Sequence, residues 1–184
     1  MDPQATAPPF GADRWLRSEP PLQQESCPSR SVPAKSRSGI TPVHRASNRS
    51  PSGFGSSSRA ASSTNALRVL ETAGAPVYYL PPADVDVAFL SRAARTTWCE
   101  WKGEASYYDF DDGSRPVHSI AWTYRNPLPG FESIRDHIAF YASKVGQAWV
   151  GDEQATPQAG RYYGGWVTNR IKGPIKGVPG SEGW

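Results

Sequence analysis

The large side chains of this chain are confined almost entirely to the residues beyond 67. All eight tyrosines lie at or after Tyr78, and six of the seven tryptophans lie at or after Trp98. Ordering a residue costs roughly 1–2 kcal/mol of chain entropy, and burial of large apolar groups is what offsets that cost. Residues 1–66, whose single tryptophan is Trp15, cannot assemble a core of their own. The 184 residues therefore divide into a disordered Pro/Ser/Arg-rich tail, 1–66, and one domain, 67–184.

Charge divides at the same place. Up to Ala66 there are eight Lys/Arg and four Asp/Glu, and from Leu67 onward twelve and thirteen, so balances of +4 and −1 make up the net +3. The basic character belongs to the tail. The domain lacks the excess of Lys/Arg that marks a nucleic-acid face, and no nucleic-acid partner is expected. Cys27 and Cys99 are the only cysteines, one in each part, which excludes a disulfide framework and any zinc site built on cysteine pairs. No apolar run approaches the roughly 20 residues of a membrane helix, so the domain reads as soluble with no membrane partner.

From Ser26 to Leu70 there is no acidic residue, whereas Arg30, Lys35, Arg37, Arg45, Arg49, Arg59 and Arg68 are basic. That Ser-rich, Arg-bearing composition is that of an organelle transit peptide. Asp2, Asp13, Glu19 and Glu25 are acids of the kind such peptides avoid, and a plain disordered extension fits equally well. Chloroplast and cytoplasm both remain open.

Within the domain the pattern predicts a mainly β fold with one or two short helices. Residues 67–71 read as the first ordered strand and Val77-Tyr78-Tyr79-Leu80 as a second. Residues 81–90, with prolines in the first turn and early acids, predict a short helix. Residues 96–98 and 105–110 are rich in Thr and aromatics and suit strands. Asp111-Asp112-Gly113-Ser114 is a turn signal that makes 105–110 and 117–124 a hairpin. Strict alternation in the second strand places Ile120, Trp122 and Tyr124 on one face. Phe131, Ile134 and Ile138 have helical spacing, and strands are expected again at 139–141 and 148–150. Residues 160–184 form an irregular arm rich in glycine and aromatics.

The densest chemical cluster is Trp98-Cys99-Glu100-Trp101-Lys102-Gly103. Cys99 is a candidate nucleophile, Lys102 could lower its pKa, and Glu100 could act as an acid or base once desolvated. The alternative is structural: Cys99 as a small buried hydrophobe, Trp98 and Trp101 packed, and Lys102 over an aromatic face. No metal is expected, because His118 and His137 stand in separate elements without a Cys or His neighbour. Asp109-Phe110-Asp111-Asp112-Gly113 begins like a calcium loop but lacks the closing glutamate and fits a hairpin turn better. Gly173, Gly177 and Gly180 carry no phosphate-loop ending. Tyr162-Tyr163-Gly164-Gly165-Trp166 pairs glycines with rings, which suits either a ring-shaped ligand or an arm stapled to its own domain.

Residues 67–184 resemble the family catalogued as domain of unknown function 427, of bacterial, cyanobacterial and plant type. The matching stretches are Arg68-Val69-Leu70-Glu71-Thr72, Tyr78-Tyr79-Leu80-Pro81-Pro82-Ala83-Asp84-Val85 and Thr97-Trp98-Cys99-Glu100-Trp101-Lys102-Gly103-Glu104-Ala105-Ser106-Tyr107-Tyr108. Ala121-Trp122-Thr123-Tyr124 and Ile138-Ala139-Phe140-Tyr141 continue it, and the ending from Tyr163-Gly164-Gly165-Trp166 to Gly183-Trp184 is similar to the cyanobacterial branch. The resemblance implies a β-tent architecture, in which sheets meet at an angle around a pocket, and implies little about activity. Its members carry a strand pair ahead of the Arg68–Thr72 stretch, and here residues 52–64 are Ser/Gly/Ala-rich and read as unsuited to a strand, so the first strands are missing.

Three functions follow as expectations. The first is a small-molecule-binding domain whose pocket is lined by Tyr79, Trp98, Trp101, Lys102, Tyr108 and Trp122, with no cofactor. The second is an enzyme using Cys99 with Lys102 or Glu100, and whether the protein is an enzyme is left open. The third is a protein-interaction module presenting the aromatic arm. The oligomeric state is not legible in the sequence.

Overall fold

A computed structural model of the chain describes residues 61–71, 73–113 and 116–181, together with the backbone of 24–26, 39–43 and 46–49. Its strands, in chain order, are β1 (Gln24–Ser26), β2 (Gly39–Val43), β3 (Ala46–Arg49), β4 (Ala61–Ser63), β5 (Ala66–Leu70), β6 (Val77–Leu80) and β7 (Leu90–Cys99). They continue with β8 (Gly103–Phe110), β9 (Val117–Thr123), β10 (Ile138–Phe140), β11 (Gln147–Val150), β12 (Glu153–Pro157) and β13 (Trp166–Val167). Among the described residues the fold is mainly β, as the sequence predicts, with an eight-stranded sheet in the order β1-β7-β8-β9-β10-β6-β5-β2 and a five-stranded sheet in the order β13-β12-β11-β3-β4. The pairings are antiparallel apart from β1 with β7.

The large sheet is buried on both faces, because its strands alternate two sets of apolar residues. Tyr78, Leu80, Phe110, Ala121, Ile138 and Phe140 face the small sheet and meet Ala61, Ala148, Ala155 and Trp166 from it. Trp166 closes this first core: its side chain is 0% exposed, its ring centroid lies 5.3 Å from that of Tyr78, and its indole N–H donates to the Phe140 carbonyl at 2.9 Å. The opposite face carries Val69, Tyr79, Ala105, Tyr107, Trp122, Tyr124 and Ala139, joined by Phe131, Ile134 and Tyr141.

Both predicted helices are corrected. Residues 81–90 contain two short 3-10 turns, Pro82–Asp84 and Val87–Phe89, and Leu90 already begins β7. The β-branched Val85 and Val87 resist helix, and Asp86 caps the second turn by accepting from Ala88 N–H at 3.1 Å. Beyond Phe131 there is one such turn, Glu132–Ile134, before Ile138 opens β10. The spacing of Phe131, Ile134 and Ile138 reports burial against two cores and carries no helix.

Strand residues also lie ahead of Leu67. Ala66 starts β5, and Ala61–Ser63, within the stretch read as unsuited to a strand, forms β4 against β3. Ala61 and Ser63 are each 2% exposed, so small side chains suit this site, and the Ser63 hydroxyl donates to Asp84 Oδ2 at 2.6 Å. Context overrides propensity here. The remaining expectations for residues 1–60 fall almost wholly outside the described residues.

The 105–110/117–124 hairpin is present as β8 and β9, and Asp111 accepts from Gly113 N–H at 2.8 Å in its turn. Its alternation is broken once. The register shifts between Tyr108 and Phe110, where Asp109 Oδ1 takes the Ser119 N–H at 2.6 Å and Ser119 adopts a φ of 48°. Ile120 consequently joins the first core, whereas Trp122 and Tyr124 lie in the second. The C-terminal arm folds back on the domain. Lys176 N–H donates to the Ala73 carbonyl at 2.7 Å, Trp166 N–H to the Pro76 carbonyl at 2.8 Å, and the Gln158 side chain bridges Ala75 N–H and the Lys176 carbonyl.

Candidate functional site

The hairpin between β7 and β8 sorts the Trp98–Gly103 cluster into opposite directions. Cys99 pairs with Gly103, and Glu100, Trp101 and Lys102 form the turn between them. Gly103 has a φ of 91°, a conformation L side chains rarely adopt, and an added Cβ would lie 3.3 Å from Leu128 Cγ. With the turn fixed this way, Trp98 and Trp101 point to solvent, 53% and 45% exposed, while Lys102 turns inward and is 5% exposed. The Lys102 ammonium pairs with the Glu71 carboxylate and lies 5.8 Å from the ring centroids of both Tyr124 and Phe131. The aromatic faces near Lys102 are those of Tyr124 and Phe131.

The six residues expected to line one pocket are not brought together. Tyr79 and Trp122 meet on the second core, Lys102 reaches the end of that face, and Tyr108 packs on the first core across the sheet. Trp98 and Trp101 are not packed as a wall. Cys99 is half-buried against the second core, while Glu100 is exposed in the turn.

What the sheet assembles instead is a row of rings. Tyr79 pairs with Ala139, Ala139 with Trp122, and Trp122 with Tyr107, so β6, β10, β9 and β8 place these four side chains in line on one face. Ala139, between the two large rings, leaves the room that they fill. Tyr79 and Trp122 meet edge to face at 6.2 Å and 84°, and Trp122 and Tyr141 at 4.6 Å and 48°. The Trp122 indole N–H donates to Tyr79 Oη at 3.4 Å, and Tyr107 Oη shares a hydrogen bond with Thr97 Oγ1 at 2.9 Å. Gly164 of the arm lies against the Trp122 ring so closely that a Cβ there would clash with it.

Along β7 the side chains on this face are Ala93, Arg95, Thr97 and Cys99, all half-buried, and they form the accessible border of the row. Arg95 stacks its guanidinium 4.5 Å over Tyr107. Lys144 lies 5.1 Å from the Tyr141 centroid and donates to the His118 and Ser119 carbonyls at 2.8 and 2.9 Å. Burial, followed by the nearby Arg95 charge, holds the Lys144 ammonium below its ordinary value. Among the described residues no group of three or more His, Cys, Asp or Glu is placed to hold a metal ion, and no helix is long and apolar enough to cross a membrane.

Burial raises the Tyr79 phenol above its ordinary value, against the pull of the Trp122 hydrogen bond, and the neighbouring Cys99, Tyr141 and Tyr107 add to the rise. The unfolded chain loses this proton near pH 10, before the folded chain does. Stability contributed by the neutral phenol is thus complete below about pH 10 and falls above it, at up to about 1.4 kcal/mol per pH unit. Urea titrations repeated across alkaline pH are expected to show this loss in the native chain and a shallower one in Tyr79→Phe.

Tyr107, Tyr141, Arg95 and Glu71 belong to this region and are not among the candidate site residues of the sequence, which does place Tyr124 on the face of Trp122. Parity was the available signal: Ala105 and Tyr107 share a face that Ser106 and Tyr108 do not, once β8 is paired with β9. Arg95, Tyr141 and Glu71 carry no such mark, since turns and a register shift deliver them.

Residues 57–151, from the approach to β4 through β11, match the model of a domain of unknown function (DUF427). The match spans β4 to β11 and hence the whole ring row with Arg95, Lys102 and Lys144; Trp166 lies outside it. No curated protein matches the chain. The chain belongs to the DUF427 family.

Proposed function

We propose that the protein is a small-molecule-binding domain of β-tent architecture, with its ligand seated along the row of Tyr79, Trp122 and Tyr107. The observation that carries this reading is the combination of in-register rings with polar groups around them: Thr97 and Arg95 on Tyr107, and Lys102 on Tyr124. Apolar walls with a few directed polar groups are the general character of ligand sites. The domain that carries it is taken from residue 61, because Ala61 and Ser63 are buried. Catalysis by Cys99 is less well supported, since Glu100 faces solvent and Lys102 is engaged by Glu71. An interaction module presenting the arm is also less well supported, because the arm bonds back to Ala73, Ala75 and Pro76.

The test is a thermal-shift screen of the full chain against metabolites and pigments, repeated on Tyr107→Ala. A ligand at a hundred times its Kd stabilises by about 2.7 kcal/mol, a shift of several degrees for a domain of this size. The expected result is at least one stabilising compound whose shift disappears in Tyr107→Ala. A screen without a stabiliser, or a shift unchanged in the variant, contradicts the proposal.

A further inference from the structure

We infer that the large sheet carries a second, separate binding site on the face opposite the ring row, and that this site takes a saccharide. Thr96 pairs with Ser106 and Ser106 with Thr123, so β7, β8 and β9 place three hydroxyl side chains in line. Alternation along β8 and β9 puts them on the face of Tyr108 and Ala121, which belongs to the first core. All three residues are buried. Thr123, at the inner end, is 1% exposed, and its Oγ1 is buried without a hydrogen-bond partner. The outer end is open: Trp98, next on this face of β7, pairs with Glu104 of β8, and both are exposed.

A buried hydroxyl without a partner is destabilising, and a bound molecule that supplies the partner recovers the loss. Three hydroxyls on an otherwise apolar face therefore mark a place where hydrogen bonds are made to a guest. Each hydroxyl both donates and accepts, and the Glu104 carboxylate accepts. A saccharide matches this set. Its rim of hydroxyls gives and takes hydrogen bonds, and its apolar C–H face is covered by an indole, here that of Trp98. Glu104 takes hydrogen bonds from the sugar rim, Thr96 and Ser106 exchange them with it, and Thr123 closes the inner end one strand further, about 4.8 Å away. An acid fits poorly, because Glu104, the charged member of these five residues, repels it. Few directed polar groups beside one large ring are the general character of a ligand site.

The experiment titrates the full chain with methyl β-D-glucoside, methyl β-D-galactoside and methyl α-D-mannoside, following backbone and indole N–H shifts by heteronuclear NMR. Tetrahydropyran-2-methanol, the same ring without its ring hydroxyls, is the control. The expected result is that at least one glycoside binds about tenfold or more tightly than the control, with shifts at Ser106, Thr123 and the Trp98 indole. Thr123→Val keeps the shape of the side chain and removes the unpartnered hydroxyl. It is expected to weaken that glycoside about tenfold with no loss of stability in urea. Trp98→Ala, at an exposed position, is expected to weaken it similarly, and decides the outcome if Thr123→Val does not fold. Lys172→Gln, on the exposed arm, is expected to change neither affinity nor shifts. Binding no tighter than the control, shifts away from these residues, or affinity unchanged in a folded Thr123→Val or in Trp98→Ala overturns the proposal. Glycosides are kept out of the thermal-shift screen, so failure here leaves the ring row standing and failure of the screen leaves this site standing.

Discussion

Trp166→Ala is expected to lower the unfolding free energy by about 3–5 kcal/mol, the range for removing a fully buried large aromatic. The residue is 0% exposed, packs its ring at a tilt against Tyr78 and donates its indole N–H to the Phe140 carbonyl in the middle of the large sheet. Truncation leaves a cavity between the two sheets and an acceptor without its donor, and the two penalties add. Small domains hold about 5–15 kcal/mol in total, so the variant is expected to lie near its unfolding midpoint under mild conditions. The site is informative because Trp166 stands beyond the residues matched by the family, on the arm. Urea unfolding followed by circular dichroism measures it. A loss below about 1 kcal/mol would mean that the arm does not complete the first core.

The second large effect concerns Lys102 and Glu71. Removing one partner of a buried ion pair costs about 3–5 kcal/mol because the other charge is left uncompensated. Here the Glu71 side chain is 40% exposed and that of Lys102 only 6%, so water screens part of the interaction. Glu71→Gln, which takes this carboxylate from the buried ammonium, is expected to cost about 2 kcal/mol. Lys102→Met leaves a carboxylate that can turn to water and an apolar stem against Tyr124 and Phe131, and is expected to cost less. The double variant is expected to lie closer to the native chain than Glu71→Gln does, a coupling that the four stabilities of the cycle give directly. Strict additivity would show that the pair is not acting as a pair.

The sequence was most legible where a short-range rule decides the outcome. Aromatic and Thr-rich runs became β8 and β9, and the Asp111–Gly113 turn between them follows from side-chain chemistry alone. The two helices failed for a related reason. Apolar spacing at Phe131, Ile134 and Ile138 reflects which core each residue meets, and those cores are built by strands distant in sequence. The same limit governed the site. Trp98, Cys99, Trp101 and Lys102 looked like one cluster because they are adjacent, yet the three-residue turn and the positive φ of Gly103 send them to different sides. Tyr79 and Trp122 were recognisable as ring-bearing strand residues, but their meeting depends on Ala139, which joins β6 to β9 and has no chemical signature. Arg95 is placed over Tyr107 by a register shift in β7 that residue type does not announce.

The central claim is that ligand is received by the ring row and not by the exposed tryptophans of the hairpin tip. Chemical-shift mapping of the full chain, with a stabiliser from the thermal screen, tests it most directly. Perturbations are expected to concentrate at Thr97, Cys99, Tyr107 and the Trp122 indole N–H, with Trp98 and Trp101 little affected. Perturbations confined to Trp98, Trp101 and their neighbours, with the Trp122 indole unmoved, would contradict it.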